Sequence, residues 1–241
     1  SVIIMIQGCL PYLRRAENWV TTVRLGGILS LLGVLIVPTL LVLGYLVRVV
    51  RGTMHGEEQP PVFDEWGDLF TDGLKAFVVV FVYGLIPGII AAVVVGGGIF
   101  SFVVGGGSDS AGLVGLGMAG ILLGSLLALV LSLLAAYVVP AAISNLAQTD
   151  QLGSAFSISE LRPVLTSGTY ATAWVYGFAL IIAASLVAGA LNVIPLLGLL
   201  AGGFLGFYAA VSAYYLIGQA WGEIRDVEMR ESDSLDEQAA V

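Results

Sequence analysis

The stretch Gly112–Ile143, GLVGLGMAGILLGSLLALVLSLLAAYVVPAAI, runs its whole length without a charged side chain. A helix needs about 20 apolar residues to cross a hydrocarbon core roughly 30 Å thick, and this run exceeds that. Four more apolar runs, each without a charge near its centre, lie near 25–50, 76–103, 168–190 and 195–220. With 58% hydrophobic residues, 11% charged residues and a mean hydropathy of +0.99, the chain falls outside the composition of soluble domains. It reads as an all-α integral membrane protein of about five transmembrane helices. The runs are too many and too long for a cleaved signal peptide, so the chain is expected to stay in the bilayer. The predicted divisions are an interfacial N-terminal segment at 1–24, a helical membrane domain at 25–221 and an acidic, disordered tail at 222–241.

Charge is confined to the connections. The formal net charge of -8 comes from acids clustered at 57–72 and 223–237, a distribution that argues against binding nucleic acid. The excess of acids over bases, and of Arg over Lys, resembles the surfaces of salt-adapted, halophilic proteins. Cys9 alone forms no internal disulfide, and with His55 alone it leaves too few soft ligands for zinc or haem. No cofactor is expected.

The loops near 51–75 and 144–167 and the tail are long and polar, whereas those near 104–111 and 191–195 are short. The long-loop side carries Arg48, Arg51, Lys75, Arg162, Arg225 and Arg230; the other carries Arg14, Arg15 and Arg24. The positive-inside bias then puts the long loops and the C-terminus in the cytoplasm. If Pro38 divides 25–50 into a hairpin, the crossings number six.

At an offset of 93 residues the chain matches itself: Phe63 falls on Phe156, Val82-Tyr83-Gly84 on Val175-Tyr176-Gly177, and Gly27-Ile28-Leu29 on Gly120-Ile121-Leu122. Two parallel repeats, about 25–104 and 112–190, are read, followed by a last span at about 195–220. Each repeat comprises a span, a cytoplasmic loop, a short interfacial helix and a second span. Ser157 and Glu160 have capping-box spacing, with Phe156 and Leu161 at staple positions, and Asp64 is the N-cap candidate of the first copy.

The segment most like a chemical site is PPVFDEWGDLF, Pro60–Phe70, extended by Asp72. A helix starting after Asp64 places Trp66, Leu69, Phe70, Gly73, Leu74 and Phe77 on one face and Asp68 and Asp72 opposite, with Glu65 nearby. A metal or catalytic site needs carboxylates converging on one point, but Asp64, Asp68 and Asp72 form a row along a helix. The row therefore reads as the solvated face of an amphipathic helix lying at the membrane surface. The candidate interface is Phe63, Asp64, Glu65, Trp66, Asp68, Leu69, Phe70 and Asp72, with Phe156, Ser157, Glu160 and Leu161 as its second-repeat equivalent.

Gly44–Arg51 (GYLVRVVR), the segment just quoted, Asp72–Ala76 (DGLKA), and Met5-Ile6-Gln7 with Glu17-Asn18-Trp19 upstream resemble an archaeal membrane family known as domain of unknown function 4013. Val139-Pro140-Ala141-Ala142 followed by Ala155-Phe156 is similar to a broader group of multi-span domains. That group includes the membrane part of some glycerophosphodiester phosphodiesterases, and no catalytic residue carries over from it. The resemblance implies an archaeal plasma membrane and assigns no activity. The expected role is a non-enzymatic membrane scaffold or accessory subunit, in contact with lipids and with a second copy or another membrane protein. The alternative is a channel or facilitator for a small neutral or lipid-like solute.

Overall fold

A computed structural model describes residues 19–31, 36–108 and 110–239. They are helical with no strand among them: α1 (Trp19–Leu31), α2 (Ile36–Met54), α3 (Trp66–Ile90), a π turn (Ala91–Val95), α4 (Gly96–Gly107), α5 (Ala111–Thr149), α6 (Ile158–Leu165), α7 (Gly168–Leu191) and α8 (Pro195–Ala239). Among the described residues five stretches are long and apolar enough to span a membrane: Val37–Met54, Trp66–Gly107, Ala111–Thr149, Gly168–Leu191 and Gly198–Asp226. The chain is thus an all-helical protein built for a bilayer.

Several boundaries differ from the sequence reading. Of the first crossing the described residues are α1, up to Leu31, and α2, from Ile36, and residues 32–35 lie outside the described ones. Pro38 falls in the first turn of α2, where its missing N–H costs no hydrogen bond. The short loop helix expected before the second crossing is not separate. It forms the N-terminal turns of α3, which continues through the π turn into α4. The short helix expected after Phe156 is separate, with a break at Thr166 and Ser167 between α6 and α7. The last helix, α8, is described as far as Ala239. Beyond Gly222 it contains no Gly or Pro and many good helix formers. Residues 1–18, including Cys9, and Asp109 lie outside the described residues.

Contacts divide the chain into two compact units, each described here by itself. One comprises the described parts of Ser1–Phe77 and Pro140–Val241, the other Val78–Val139. In the first unit α8 is the central helix and packs along α7, α2 and α1. Its core contains Tyr45, Val49, Val50, Leu69, Phe207, Val211, Leu216 and Trp221, all nearly inaccessible. Of the Val37–Met54 window 56% is buried, against 6% for Gly168–Leu191. Packing is therefore concentrated on α2 and α8, while α7 shows most of its surface to lipid.

In the second unit α4 and α5 form a tight antiparallel pair. A Cβ on Gly98 would lie 2.8 Å from the Ile121 amide nitrogen, and one on Gly105 would lie 2.7 Å from that of Val114. Such backbone contact suits a bilayer, where association relies on close packing because lipid is as apolar as a leucine side chain. Outward residues such as Phe100, Leu116 and Leu123 are about two-thirds exposed, as lipid-facing positions should be.

Within the first unit α2 and α3 also meet backbone to backbone. A Cβ on Gly44 would collide with the Leu69 carbonyl oxygen, and one on Gly73 with that of Leu40. Gly73→Ala is expected to cost about 1–3 kcal/mol. Gly84→Ala on the same helix, where nothing lies within 4 Å, should gain about 0.5–1 kcal/mol. Thermal unfolding of both variants in one detergent checks this contrast, and equal effects would refute the close contact.

Candidate functional site: an arginine and carboxylate clasp

The last turns of α2 carry Arg48 and Arg51 one helical turn apart, on the flank of an otherwise apolar helix. A guanidinium keeps its charge under all ordinary conditions and offers five donors, so near the edge of the apolar slab it needs acceptors. The chain supplies them by folding back. After Met54 it turns at Gly56, whose φ is 79°. It then runs through Pro60-Pro61, where the Tyr45 hydroxyl donates to the Pro61 carbonyl at 3.0 Å. Phe63 stacks on Tyr45 with centroids 4.4 Å apart, and Phe207 closes the aromatic cluster at 5.5 Å from Tyr45. Phe63 is thereby held half-buried against the cluster and the two residues after it are brought over Arg48.

Arg48 Nη1 donates to Asp64 Oδ1 at 2.9 Å and to the Asp64 carbonyl at 3.1 Å. Its Nη2 donates to Glu65 Oε2 at 3.3 Å and to the Glu65 carbonyl at 3.4 Å. Glu65 has a φ of 47°, a left-handed conformation that costs a branched or bulky side chain about 1–2 kcal/mol. It is also the residue whose carbonyl accepts the first helical bond of α3, from Leu69. The helix start predicted at Asp64 thus moves by one residue, and the Asp64 carboxylate binds Arg48.

One turn further, Arg51 Nη1 donates to Asp72 Oδ2 at 3.0 Å, its Nε to the Ala147 carbonyl at 3.0 Å, and its Nη2 lies 3.7 Å from Asp150 Oδ1. Lys75 Nζ donates to the same Asp150 oxygen at 2.9 Å and to the Asp150 carbonyl at 3.3 Å. Asp150 also has a left-handed φ, 58°, and ends α5 with its N–H on the Leu146 carbonyl. Asp tolerates that conformation better than most residues, and unlike Gly it brings a carboxylate. The Lys75 hydrogen bond, helped by the nearby charges of Lys75 and Arg51, holds its carboxyl below the ordinary value of 3.8 against the opposing effect of burial.

The predicted solvated row of acids is therefore divided. Asp72 is 9% exposed, beside Leu69 and Ala76 at 0%, whereas Asp68 faces out. The predicted apolar face is also split, because its arc is broad enough to serve two neighbours. Leu69 and Gly73 pack on α2, while Trp66, Phe70, Leu74 and Phe77 point outward at 37–46% exposure. At the start of α6 Glu160 does not close a capping box with Ser157. Its Oε2 accepts from Asn145 Nδ2 at 2.6 Å, and the same Nδ2 group donates to the Ser154 carbonyl at 2.8 Å. The Ser157 hydroxyl meets the Ser159 hydroxyl at 3.2 Å, and the helix shows no side-chain cap bond. Leu161 is buried at 2% and Phe156 is half-buried.

Sequence reasoning on the site passed over Tyr45, Arg48, Arg51, Lys75, Asn145 and Asp150. The available signal was Arg48 and Arg51 at i, i+3 on the flank of an apolar span, a placement that demands carboxylates elsewhere in the chain. Trp221, 1% exposed, adds a further tie by donating from Nε1 to Gln148 Oε1 at 2.8 Å. The Arg225 guanidinium lies 5.0 Å over the Trp221 ring. Among the described residues no three His, Cys, Asp or Glu side chains come together in a way that could hold a metal ion.

Asp72→Asn, which leaves Arg51 short of its buried anion, is expected to destabilise by about 2–3 kcal/mol. Asp68→Asn should stay within about 0.5 kcal/mol of the wild type. Denaturant unfolding in detergent micelles separates the two, and similar losses would restore the solvated row. Asp150 sets a pH dependence. A carboxyl lowered by folding stabilises above its ordinary range, and that contribution is lost as pH falls through the lowered value. The melting-temperature gap between wild type and Asp150→Asn should hold constant from neutral pH to about pH 4 and close below it. A gap that widens in acid would contradict the assignment.

No curated protein and no solved structure matches the chain. The family described as "Protein of unknown function (DUF4013)" matches residues 28–193. That match covers more than half of the sequence and takes in the whole clasp from Arg48 to Asp150, so the chain belongs to the DUF4013 family.

Proposed function

We propose that this chain is a non-enzymatic scaffold or accessory subunit of an archaeal plasma membrane, with its long loops and C-terminus in the cytoplasm. The observation that carries the reading is that Asp64, Glu65 and Asp72 are held by cations of their own chain. Paired carboxylates of this kind hold a loop in place, and what the loop end offers outward is the ridge of Trp66, Phe70, Leu74 and Phe77. Ile158, 78% exposed on α6, adds a second apolar projection. A second copy of the chain or another membrane protein is the partner proposed for these surfaces, with lipid around them.

The orientation rests on charge. Arg48, Arg51, Lys75 and Arg225 all take part in contacts at the ends of α2, α3, α5 and α8 that carry the long loops. Cations clustered at one end of a bundle favour the cytoplasmic side. The acidic balance of the chain supports a salt-adapted source, in which screening weakens repulsion from an anionic leaflet.

Purification from native membranes in mild detergent is expected to give a homo-oligomer or one fixed partner, and Trp66→Ala with Phe70→Ala should dissociate it. A strictly monomeric particle with no companion would reject the scaffold reading. In a Cys9→Ser background, His55→Cys should react with a membrane-impermeant thiol reagent only in inverted vesicles. Reaction in right-side-out vesicles would reverse the orientation.

A further inference from the structure

In the first unit, α2, the last turn of α7 and the first turns of α8 wall an open groove of about 470 Å³. Its lining includes Val42, Asn192, Gly202, Gly206, Phe207 and Ala210. The glycines of α8 create the space. A Cβ at Gly206 would meet nothing within 4 Å, and one at Gly202 would reach only the Ala188 Cβ, at 3.6 Å.

The surroundings identify what has access to it. Leu199 of the lining, and Leu186, Val187, Val193 and Ile194 close to it in sequence, are 50–88% exposed. On spanning helices, exposed aliphatic side chains of this kind form the lipid interface, and the groove continues that interface inward. Apolar walls do not retain water, and an unfilled space forfeits the dispersion contacts of its lining atoms. We propose that the groove holds one hydrocarbon chain of a bilayer lipid. The volume lies at the small end of the roughly 300–1,000 Å³ range of ligand sites, which suits a single chain. Asn192 is the one amide among the lining residues and caps the C-terminal end of α7. It marks the end of the groove toward which the polar part of the lipid lies. This assignment stands independently of the scaffold reading.

The test uses the full-length chain in nanodiscs of phosphatidylcholine doped with a phosphatidylcholine carrying a diazirine on one acyl chain. After irradiation, labelled sites are mapped by peptide mass spectrometry. The expected result is label concentrated at Val42, Phe207 and Ala210, denser than at the openly lipid-facing Leu123. Gly206→Leu should fill the space and cut the groove label several-fold while leaving Leu123 unchanged. Val42→Trp fills the groove from the opposite wall and decides the matter if Gly206→Leu loses helix content by circular dichroism. Groove label no denser than at Leu123, or unchanged in both variants, overturns the proposal. So does a groove without label, since occupation by a second copy or by another segment of the chain would exclude the probe.

Discussion

Arg48 and Arg51 are fixed positive charges on a helix otherwise made for hydrocarbon, and satisfying them governs the first unit. Arg48 needs acceptors where the returning loop can offer both a side chain and a carbonyl, and Asp64 and Glu65 offer both. Arg51 needs an anion on the next helix and a carbonyl at the end of α5, and Asp72 and Ala147 provide them. Two side chains one turn apart thereby fix the path of 55–65, the register of α3 against α2 and the place where α5 ends. Apolar packing alone sets register weakly in a bilayer, because a helix that slips exchanges one apolar neighbour for another. Directional charge-assisted hydrogen bonds do not tolerate such a slip.

A neutral amide plays a comparable part at the end of α5. Asn145, near the end of α5, reaches forward to Glu160 and the Ser154 carbonyl, much as Arg48 reaches forward to Glu65 and Asp64. An amide brings no charge to balance, and only one side-chain carboxylate answers it. Asp150 ties α5 to α3, since it ends α5 and accepts from Lys75 of α3. Its left-handed backbone and that of Glu65 are the two strained non-glycine residues among those described, and both belong to the clasp. Ion pairing holds each in a conformation that it would otherwise leave.

The spans were legible in the sequence because lipid imposes a length and a polarity that few other environments impose. Gly112–Ile143 reappears inside Ala111–Thr149, and the run at 168–190 reappears as Gly168–Leu191. The clasp was not legible, for a geometric reason. Helical spacing gives the angle of Asp64, Asp68 and Asp72 around one axis but not the neighbour that stands at each angle. The partner of Asp72 lies 21 positions away, and the contact from Lys75 to Asp150 spans 75. Local capping rules erred for a related reason, since Asp64 meets the charged Arg48 and Glu160 meets the Asn145 amide of α5, each in place of a backbone N–H at the nearby helix start.

The most direct test of the clasp is a double-mutant cycle on Arg51 and Asp72, with unfolding free energies measured for Arg51→Ala, Asp72→Ala and the double variant. A coupling energy of about 1–3 kcal/mol, with the double variant less damaged than the two single losses combined, is the predicted result. Losses that add to within about 0.3–0.5 kcal/mol would show that the two side chains act independently and would contradict the clasp.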